Sequence, residues 1–397
     1  MAALRRDFLK MAGLASASML VPKIVGASNF FGPQTSEKVL VVIQLGGGND
    51  GLNTIVPFRN DIYYSSRPQL AIPANNTLKI SDDLGLHPSL KTLQSLHANG
   101  EISIINSVGY PNPNRSHFRS MDIWETASDS DEYLNTGWIG RTLDQCDQPN
   151  PHAAMELGGK LSLALKGNHV KGLALESPRK LYSQASQPFI KSVSTSNHAL
   201  DHHHNEVDYL HKTLRETTSS AEYIYEKSKI YSSASTYSNS KLSKGLKTIA
   251  ELIISHCNTS VYYVSHGGFD THAGQAGKQK RLLKQYDDSI ASFVADLKQN
   301  DRFKDVAILT FSEFGRRVKQ NASGGTDHGA ANCSWVISGG LKNPGVVNPA
   351  PNLLDLDKGD LKHEVDFRQI YATLLDNWLR QDSTSILGGS FKNLGFV

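Results

Sequence analysis

The amino-acid sequence predicts an α/β fold with three layers, in which helices cover both faces of a mainly parallel β-sheet. Short apolar and β-branched runs recur along the chain, amphipathic segments separate them, and polar clusters follow several of them. Continuous apolar runs indicate strands that are buried on both faces, as strands of parallel sheets are. Strands that alternate with helices favour a doubly wound sheet.

Five runs carry the strand pattern. They cover residues 38–45, 101–108, 260–265, 306–311 and 334–338. The first run, KVLVVIQL, is almost wholly apolar and is followed by the glycine-rich segment GGGNDG, which is typical of a strand end. We expect these five runs to pair in one sheet.

Three segments have the periodicity of amphipathic helices. Between the third and fourth runs, one helical face carries Leu282, Leu283, Tyr286, Ile290, Phe293, Val294 and Leu297. Two further helices are expected from about residue 242 to 254 and from about residue 367 to 379. The last of them closes the domain.

The middle of the chain is more polar than its ends. Residues 183–240 are rich in Ser, Thr, His, Tyr and Asn and contain no long apolar run. We expect one domain over residues 36–397, with a cap or insertion of polar helices at about 125–240. The stretch HALDHHHNEVDYLH (198–211) holds five histidines, and both a metal site and a solvated helix start are compatible with it.

The charge balance excludes some classes of function. The 397 residues include 41 Lys and Arg against 38 Asp and Glu, a formal net charge of +3. This balance predicts neither a nucleic-acid partner nor binding to a membrane surface. Three cysteines are too few for a four-cysteine zinc site.

The first 27 residues have the pattern of an export signal. A basic start with Arg5 and Arg6 is followed by a short apolar stretch, MAGLASASMLV, and by small residues up to Ala27. The apolar stretch is too short to span a bilayer. The signal resembles the twin-arginine type, so we expect export in the folded state by the twin-arginine machinery to the periplasm or the medium. A cytosolic protein with a basic end is the alternative.

Polar residues gather where the predicted strands end. These positions are Asp50 after the first run, Arg115, Ser116 and His117 after the second, Asp270 and His272 after the third, and Glu313, Arg316, Asp327 and His328 after the fourth. In parallel α/β sheets, ligands bind outside the carboxyl ends of the strands. We therefore expect these side chains to share one cleft.

The chemistry of this set predicts a metal site. Carboxylates mixed with imidazoles suit one or two divalent ions of zinc, manganese, calcium or magnesium. Several carboxylates in one cleft would repel each other without a cation. Ser116 is a candidate nucleophile, or else the N-cap of the following helix. Arg115 and Arg316, or Arg119, are candidates to bind an anionic oxygen.

A dinucleotide-binding site is the rival interpretation of GGGNDG, which matches G-x-G-x-x-G after a strand. That motif requires a helix next, whereas LNTIVPFRNDIYY follows here and is interrupted by Pro57. An oxidoreductase is therefore the least favoured function. The glycines are better explained by a backbone that must turn close to another loop.

Seven segments together carry a family resemblance. They are GGGNDGLNTIVP, LGLHPSL, GYPNPNRSHFRSMDIWET, HGGFDTH, FSEFGRR, GTDHG and DFRQIYATLLDNWL. On these the chain is identified as a member of the exported bacterial family called domain of unknown function 1501. That family is similar to the alkaline phosphatase and sulfatase superfamily. The resemblance implies an alkaline-phosphatase-like fold and a metal-dependent hydrolase that cleaves small anionic phosphate or sulfate esters.

The resemblance also implies roles for single residues. Asp50 corresponds to the acid after the first strand and Ser116 to the nucleophile, while Asp270 with His272 and Asp327 with His328 correspond to ligand pairs. Glu313 and Phe314 align with another ligand pair, so either Glu313 or Asp327 is the working acid, and His363 corresponds to a last metal histidine. Because the ligand spacing differs from that superfamily, an inactive envelope-binding or assembly protein is the alternative function.

Overall fold

The computed structural model describes residues 38–146, 150–195 and 205–397. The predicted signal peptide lies outside the described residues, as do residues 198–204 of the histidine-rich stretch. Among the described helices, none is both long and apolar enough to cross a membrane.

The strands and helices follow one another along the whole described chain. Strands β1 to β14 are Val39–Gly46, Ile55–Val56, Leu78–Lys79, Gly85–Leu86, Ile102–Gly109, Ala154–Leu157, Leu173–Leu175, Val261–Gly267, Val306–Phe311, Asn332–Ile337, Gly345–Val346, Leu356–Asp357, Asp360–Leu361 and Val365–Asp366. Helices α1 to α12 are Gly51–Thr54, Asp61–Ser66, Lys91–Ala98, His117–Thr126, Trp138–Asp144, Pro178–Ala185, Pro188–Thr195, Asn205–Lys227, Lys241–Ile254, Gln275–Gln299, Phe367–Thr373 and Ser383–Leu387. A π-helix, Leu374–Leu379, continues α11.

The main sheet has the strand order β11-β5-β10-β9-β1-β8-β6-β7, with β14 also paired to β5. Its pairings are parallel except for β10, which runs antiparallel to β5 and β9. No described helix lies between β9 and β10, and a parallel pair needs such a crossover. The predicted mainly parallel α/β sheet is confirmed, and all five predicted strands belong to it.

Side chains of β1 alternate between two buried layers. Val41 and Ile43 pack in the cluster that contains Leu242 and Leu282 of α9 and α10. Val42, the residue between, packs on the opposite face with apolar residues of α4 and α11. Helices therefore cover both faces of the sheet, which confirms the three-layer prediction and explains why the first run is almost wholly apolar.

The predicted cap requires a correction. Within residues 125–240, Ala154–Leu157 and Leu173–Leu175 are strands β6 and β7 of the main sheet, whereas α6, α7 and α8 are helical. Runs of four and three residues are too short for their periodicity to stand out in a polar segment. They are identified as strands only in the fold, where β6 pairs with β8 and β7 pairs with β6.

Candidate metal centre

The loops after β1 and β8 lie against each other at the edge of the sheet. The backbone N–H groups of Gly268 and Phe269 both donate to the Gly46 carbonyl over 3.1 Å. Gly47 has φ 115°, and a Cβ at that position would lie 2.4 Å from the backbone nitrogen of Asp270. A glycine is needed here, and its presence brings Asp270 to the end of β1.

His117 begins α4 and lies over the same edge. Its Nδ1 is 2.8 Å from Oε1 of Glu313, a buried residue that follows β9. The same Glu313 oxygen accepts a hydrogen bond from the Gly47 N–H over 2.8 Å. The hydrogen bond to Glu313 is the main cause that raises the pKa of His117, although partial burial opposes it. Glu313 therefore fixes the ring of His117.

Two further imidazoles are fixed in the same way. Nδ1 of His272 is 3.2 Å from Oδ1 of Asp327, and Nδ1 of His328 is 2.8 Å from the carbonyl oxygen of Arg115. A carbonyl and an ionised carboxylate can only accept, so each Nδ1 carries the proton. In the neutral rings this leaves a lone pair on every Nε2, the form in which histidine binds metals.

The free Nε2 atoms converge on Asp270. Nε2 of His272 lies 3.0 Å from Nε2 of His328 and 3.0 Å from Oδ1 of Asp270. His328 Nε2 is 3.1 Å from the same oxygen, and His117 Nε2 is 3.5 Å from Oδ2 of Asp270. Ligand atoms bonded at about 2.0–2.1 Å to a tetrahedral zinc ion lie roughly 3.3 Å apart. The separations among His272, His328 and Oδ1 of Asp270 are close to this value, and His117 lies beside the other carboxylate oxygen.

The Nε2 atom of His117 provides an independent sign that something binds here. It is buried and has no hydrogen-bond partner among the described residues. Buried polar atoms normally have a partner, because an unpaired one loses its bond to water. His117, Asp270 and His328 also have ligand atoms that all lie within 4.8 Å of one another. The residues present therefore fit a divalent metal ion.

Asp270 is kept ionised by its neighbours. Partial burial alone would raise its pKa, but the hydrogen bond from Arg316 and the neighbouring His328 ring lower the pKa to about 2. For Asp327 the pKa is lowered, first by a hydrogen bond from Asn321. Both carboxylates are thus charged at neutral pH.

Arg316 holds the cleft together. Its guanidinium is buried and binds the carbonyl oxygens of Gly47, Gly48, Phe269 and Thr326 as well as Oδ1 of Asp270. Arg119 is likewise occupied by carbonyl oxygens of Asp129, Ser130 and Glu132. Neither arginine is placed to bind a substrate anion, so Arg316 positions Asp270 instead.

Asp50 lies apart from the cluster formed by His117, Asp270, His272 and His328, which corrects its assignment as a ligand. Its Oδ2 is 2.6 Å from Nη1 of Arg67 in a wholly buried ion pair, and Gln275 donates to the same oxygen. His266, which precedes the turn, contacts the Leu282 carbonyl through Nε2 over 3.0 Å. His363 is not in the cluster either: it lies beside Gly109.

The remaining predicted residues border the cluster. Ser116 occupies the N-cap position of α4, but its exposed side chain makes no capping hydrogen bond. Arg115 forms an ion pair with Asp360. Phe314, which cannot bind a metal, packs against the rings of His117 and His328 at centroid distances of 4.8 Å and 4.7 Å. It provides an apolar surface against which the two imidazoles pack.

The structure therefore brings together Asp270, His272, His328 and a histidine that the predicted ligand set omitted, His117. Glu313 and Asp327 lie behind these four side chains rather than among them. Each of these two acids contacts a different imidazole, Glu313 that of His117 and Asp327 that of His272. Counting imidazoles at the predicted strand ends would have included His117, since it directly follows Ser116 in the same segment.

Comparison with solved structures finds distant similarities in chain path. One is the C-terminal periplasmic domain of EptC from Escherichia coli in complex with zinc (11% identity, 76% of this chain and 73% of that chain, TM-score 0.37). Another is the PsFucS1 sulfatase from Pseudoalteromonas sp. (12%, 97% and 72%, TM-score 0.39). A third is a mutant TAB5 alkaline phosphatase with magnesium bound (11%, 78% and 93%, TM-score 0.32).

At the level of sequence, no curated protein matches the chain. The family model described as protein of unknown function (DUF1501) matches residues 37–385, which include every residue of the cluster and every described strand and helix except the last two residues of α12. The resemblance that the seven segments carry is thereby confirmed: the chain belongs to the DUF1501 family.

Proposed function

We propose that the protein is an exported, metal-dependent hydrolase of phosphate or sulfate esters, with one divalent ion held by His117, Asp270, His272 and His328. The observation that carries the proposal is the convergence of three Nε2 atoms on one carboxylate, with each Nδ1 already bonded. Such paired Nδ1 atoms are typical of histidines that bind metals.

The donor set limits which metal ion is expected. Three imidazole nitrogens and one carboxylate suit zinc or manganese better than calcium or magnesium, which prefer oxygen ligands. Asp50 supplies no ligand for a second ion, because Arg67 neutralises it. When bound, the ion would supply a Lewis acid that polarises an ester oxygen.

The protein's own residues suit an anionic substrate. The first turn of α4 lies beside the cluster and has no side-chain cap, so its N–H groups favour a negative charge. Ser116 at the same helix start is exposed and is the candidate nucleophile for attack on phosphorus or sulfur. Phe314 excludes water beneath the imidazoles that would face this charge.

Elemental analysis of the purified full chain tests the metal centre. We expect one equivalent of zinc or manganese to be lost in His117→Ala and in Asp270→Ala. His169→Ala, which replaces an exposed histidine, is the matched control and should keep it. Because the histidine-rich stretch could bind additional metal, the difference from the wild type is the relevant quantity. Equal metal content in all four proteins would overturn the proposed centre.

Hydrolysis of aryl phosphate and aryl sulfate esters tests the reaction. We expect activity in the metal-loaded wild type and a loss of at least about 100-fold in Ser116→Ala, with metal content unchanged. Full activity in Ser116→Ala would remove Ser116 from the mechanism and leave the metal centre in place.

A second candidate function is a metal-containing recognition protein without catalytic activity. It is favoured by the Ser116 hydroxyl, which has no hydrogen bond to a base within the described chain. A serine nucleophile normally needs such a base or a metal contact. Bound metal without hydrolysis of either ester class would support this candidate over the hydrolase.

A further inference from the structure

We propose that Arg115 and Arg317, both held by Asp360, form a binding subsite for a tetrahedral oxyanion such as phosphate or sulfate beside the metal centre. The inference rests on the proposed function in one respect: that function supplies the phosphate or sulfate ester to which the anion would belong. The subsite adds Arg317 and Asp360, which are not among the predicted site residues, to the residues that would recognise substrate.

Asp360 is the buried acid that both arginines contact. It begins β13 and pairs with β12 in a hairpin whose two turn residues, Lys358 and Gly359, have φ of 52° and 90°. Positive φ at both positions is what a tight two-residue hairpin requires. The hairpin buries the Asp360 side chain, which is 2% exposed, beneath two guanidinium groups.

The two arginines contact opposite oxygens of this carboxylate. Nη2 of Arg115 binds Oδ2 of Asp360, and Nε of Arg317 lies 3.5 Å from Oδ1. The Oδ1 atom is buried and has no hydrogen bond to a described residue. One buried carboxylate therefore accepts a hydrogen bond from Arg115 and lies within ion-pair distance of Arg317, and the three groups together keep a net positive charge.

The backbone places this pair beside the metal ligands. The Arg115 carbonyl accepts the hydrogen bond that fixes His328, over 2.8 Å. The Arg317 N–H donates to the carbonyl oxygen of Asp327 over 3.0 Å. The backbone of each arginine is thus hydrogen-bonded to a residue that would bind or support the ion.

Donors remain free on both guanidinium groups. The side chains of Arg115 and Arg317 are 40% and 37% exposed, and neither makes a further hydrogen bond to a described residue. Arg316 and Arg119, in contrast, spend their donors on carbonyl oxygens. The planar fork of arginine matches two oxygens of a phosphate or sulfate group. This pair is therefore the anion-recognising part of the cleft.

Calorimetric titration of the full, metal-loaded chain with inorganic phosphate and inorganic sulfate tests the subsite. We expect the Kd for the anion to rise at least about tenfold in Arg115→Gln and in Arg317→Gln, and further in the double variant. Arg317→Lys, which keeps the charge but loses the fork, should fall between wild type and Arg317→Gln. Arg281→Gln, on the exposed side of α10, is the matched control.

Metal content is measured on the same samples. An unchanged Kd in the folded double variant would overturn the subsite, whereas normal metal content there would leave the metal centre standing. If none of the proteins holds metal, yet the anion affinity still depends on both arginines, the hydrolase proposal fails and the subsite is supported.

Discussion

Asp50 and Asp270 follow the neighbouring strands β1 and β8, yet their surroundings are opposite. Asp50 is enclosed with Arg67, Gln275 and Asn53, and its ion pair with Arg67 is wholly buried. The Asp270 side chain is 48% exposed and faces three imidazoles. A carboxylate whose charge and lone pairs the protein satisfies serves the fold, whereas one that stays open can serve a ligand.

The difference has a simple physical origin. A buried charge is tolerated only when a partner and hydrogen bonds replace water. At Asp50 the fold supplies all of these. At Asp270 the fold supplies Arg316 but leaves Nε2 of His117 without a hydrogen bond to any described residue, so that side of the cluster stays open to a ligand.

The largest expected effect comes from breaking the buried network of Asp50 and Arg67. Arg67→Met would leave Asp50 buried without its counter-charge and should lower the free energy of unfolding by about 3–5 kcal/mol. The double variant Arg67→Met with Asp50→Asn should recover part of the loss. Urea denaturation measures both, with Arg59→Met at an exposed position as control. A loss below about 1 kcal/mol would show that the network is not closed as described.

A third acid sharpens the comparison, because it is buried without a cation. Burial raises the pKa of Glu125 to about 7, against a hydrogen bond from the Leu163 N–H and with help from nearby Glu156. The folded state therefore holds the proton more tightly, and its stability falls as the pH rises from about 4.5, the unfolded value, through 7.

Glu125→Gln should accordingly be more stable than the wild type at pH 8, by about 1–3 kcal/mol, and equal to it below pH 4. Denaturation at both pH values measures the difference. Glu222→Gln, on the exposed side of α8, should change neither value. A stability gain of the same size at both pH values would contradict the assigned cause.

A smaller effect is expected from the buried acid behind the open cluster. Glu313→Gln keeps an oxygen that can accept from His117 but removes the charge, and should weaken metal binding by about 10–100-fold. Competition with a chelator measures the affinity, and Glu364→Gln at an exposed position is the control. Unchanged affinity would mean that His117 does not bind the ion.

The smallest effect is expected from the exposed acid behind the same cluster. Asp327 supports His272 as Glu313 supports His117, but its side chain is 57% exposed, and water screens its charge. Asp327→Asn should therefore weaken metal binding by less than about tenfold. Competition with a chelator again measures the metal affinity. A larger loss than in Glu313→Gln would reverse the assigned ranking of the two acids.

Much of the architecture was predictable, because strand and helix periodicity is local. The burial of β1 on both faces and the apolar face of α10 follow from residues that lie next to each other in the chain, and both predictions were confirmed. Strands β6 and β7 were not predicted, because they are too short to show a clear periodicity. The antiparallel direction of β10 depends on its connection to β9, not on its own residues.

The sequence by itself determined that polar residues stand at the ends of four strands, and a parallel sheet gathers such ends at one edge. Only the tertiary structure decided which of them keep lone pairs open to a ligand. Arg67 and Gln275, far from Asp50 in the chain, close around it, while Glu313, Asp327 and the Arg115 carbonyl each fix one imidazole. Residue type sets what a side chain can bind, but burial and partners decide which lone pairs remain free to do so.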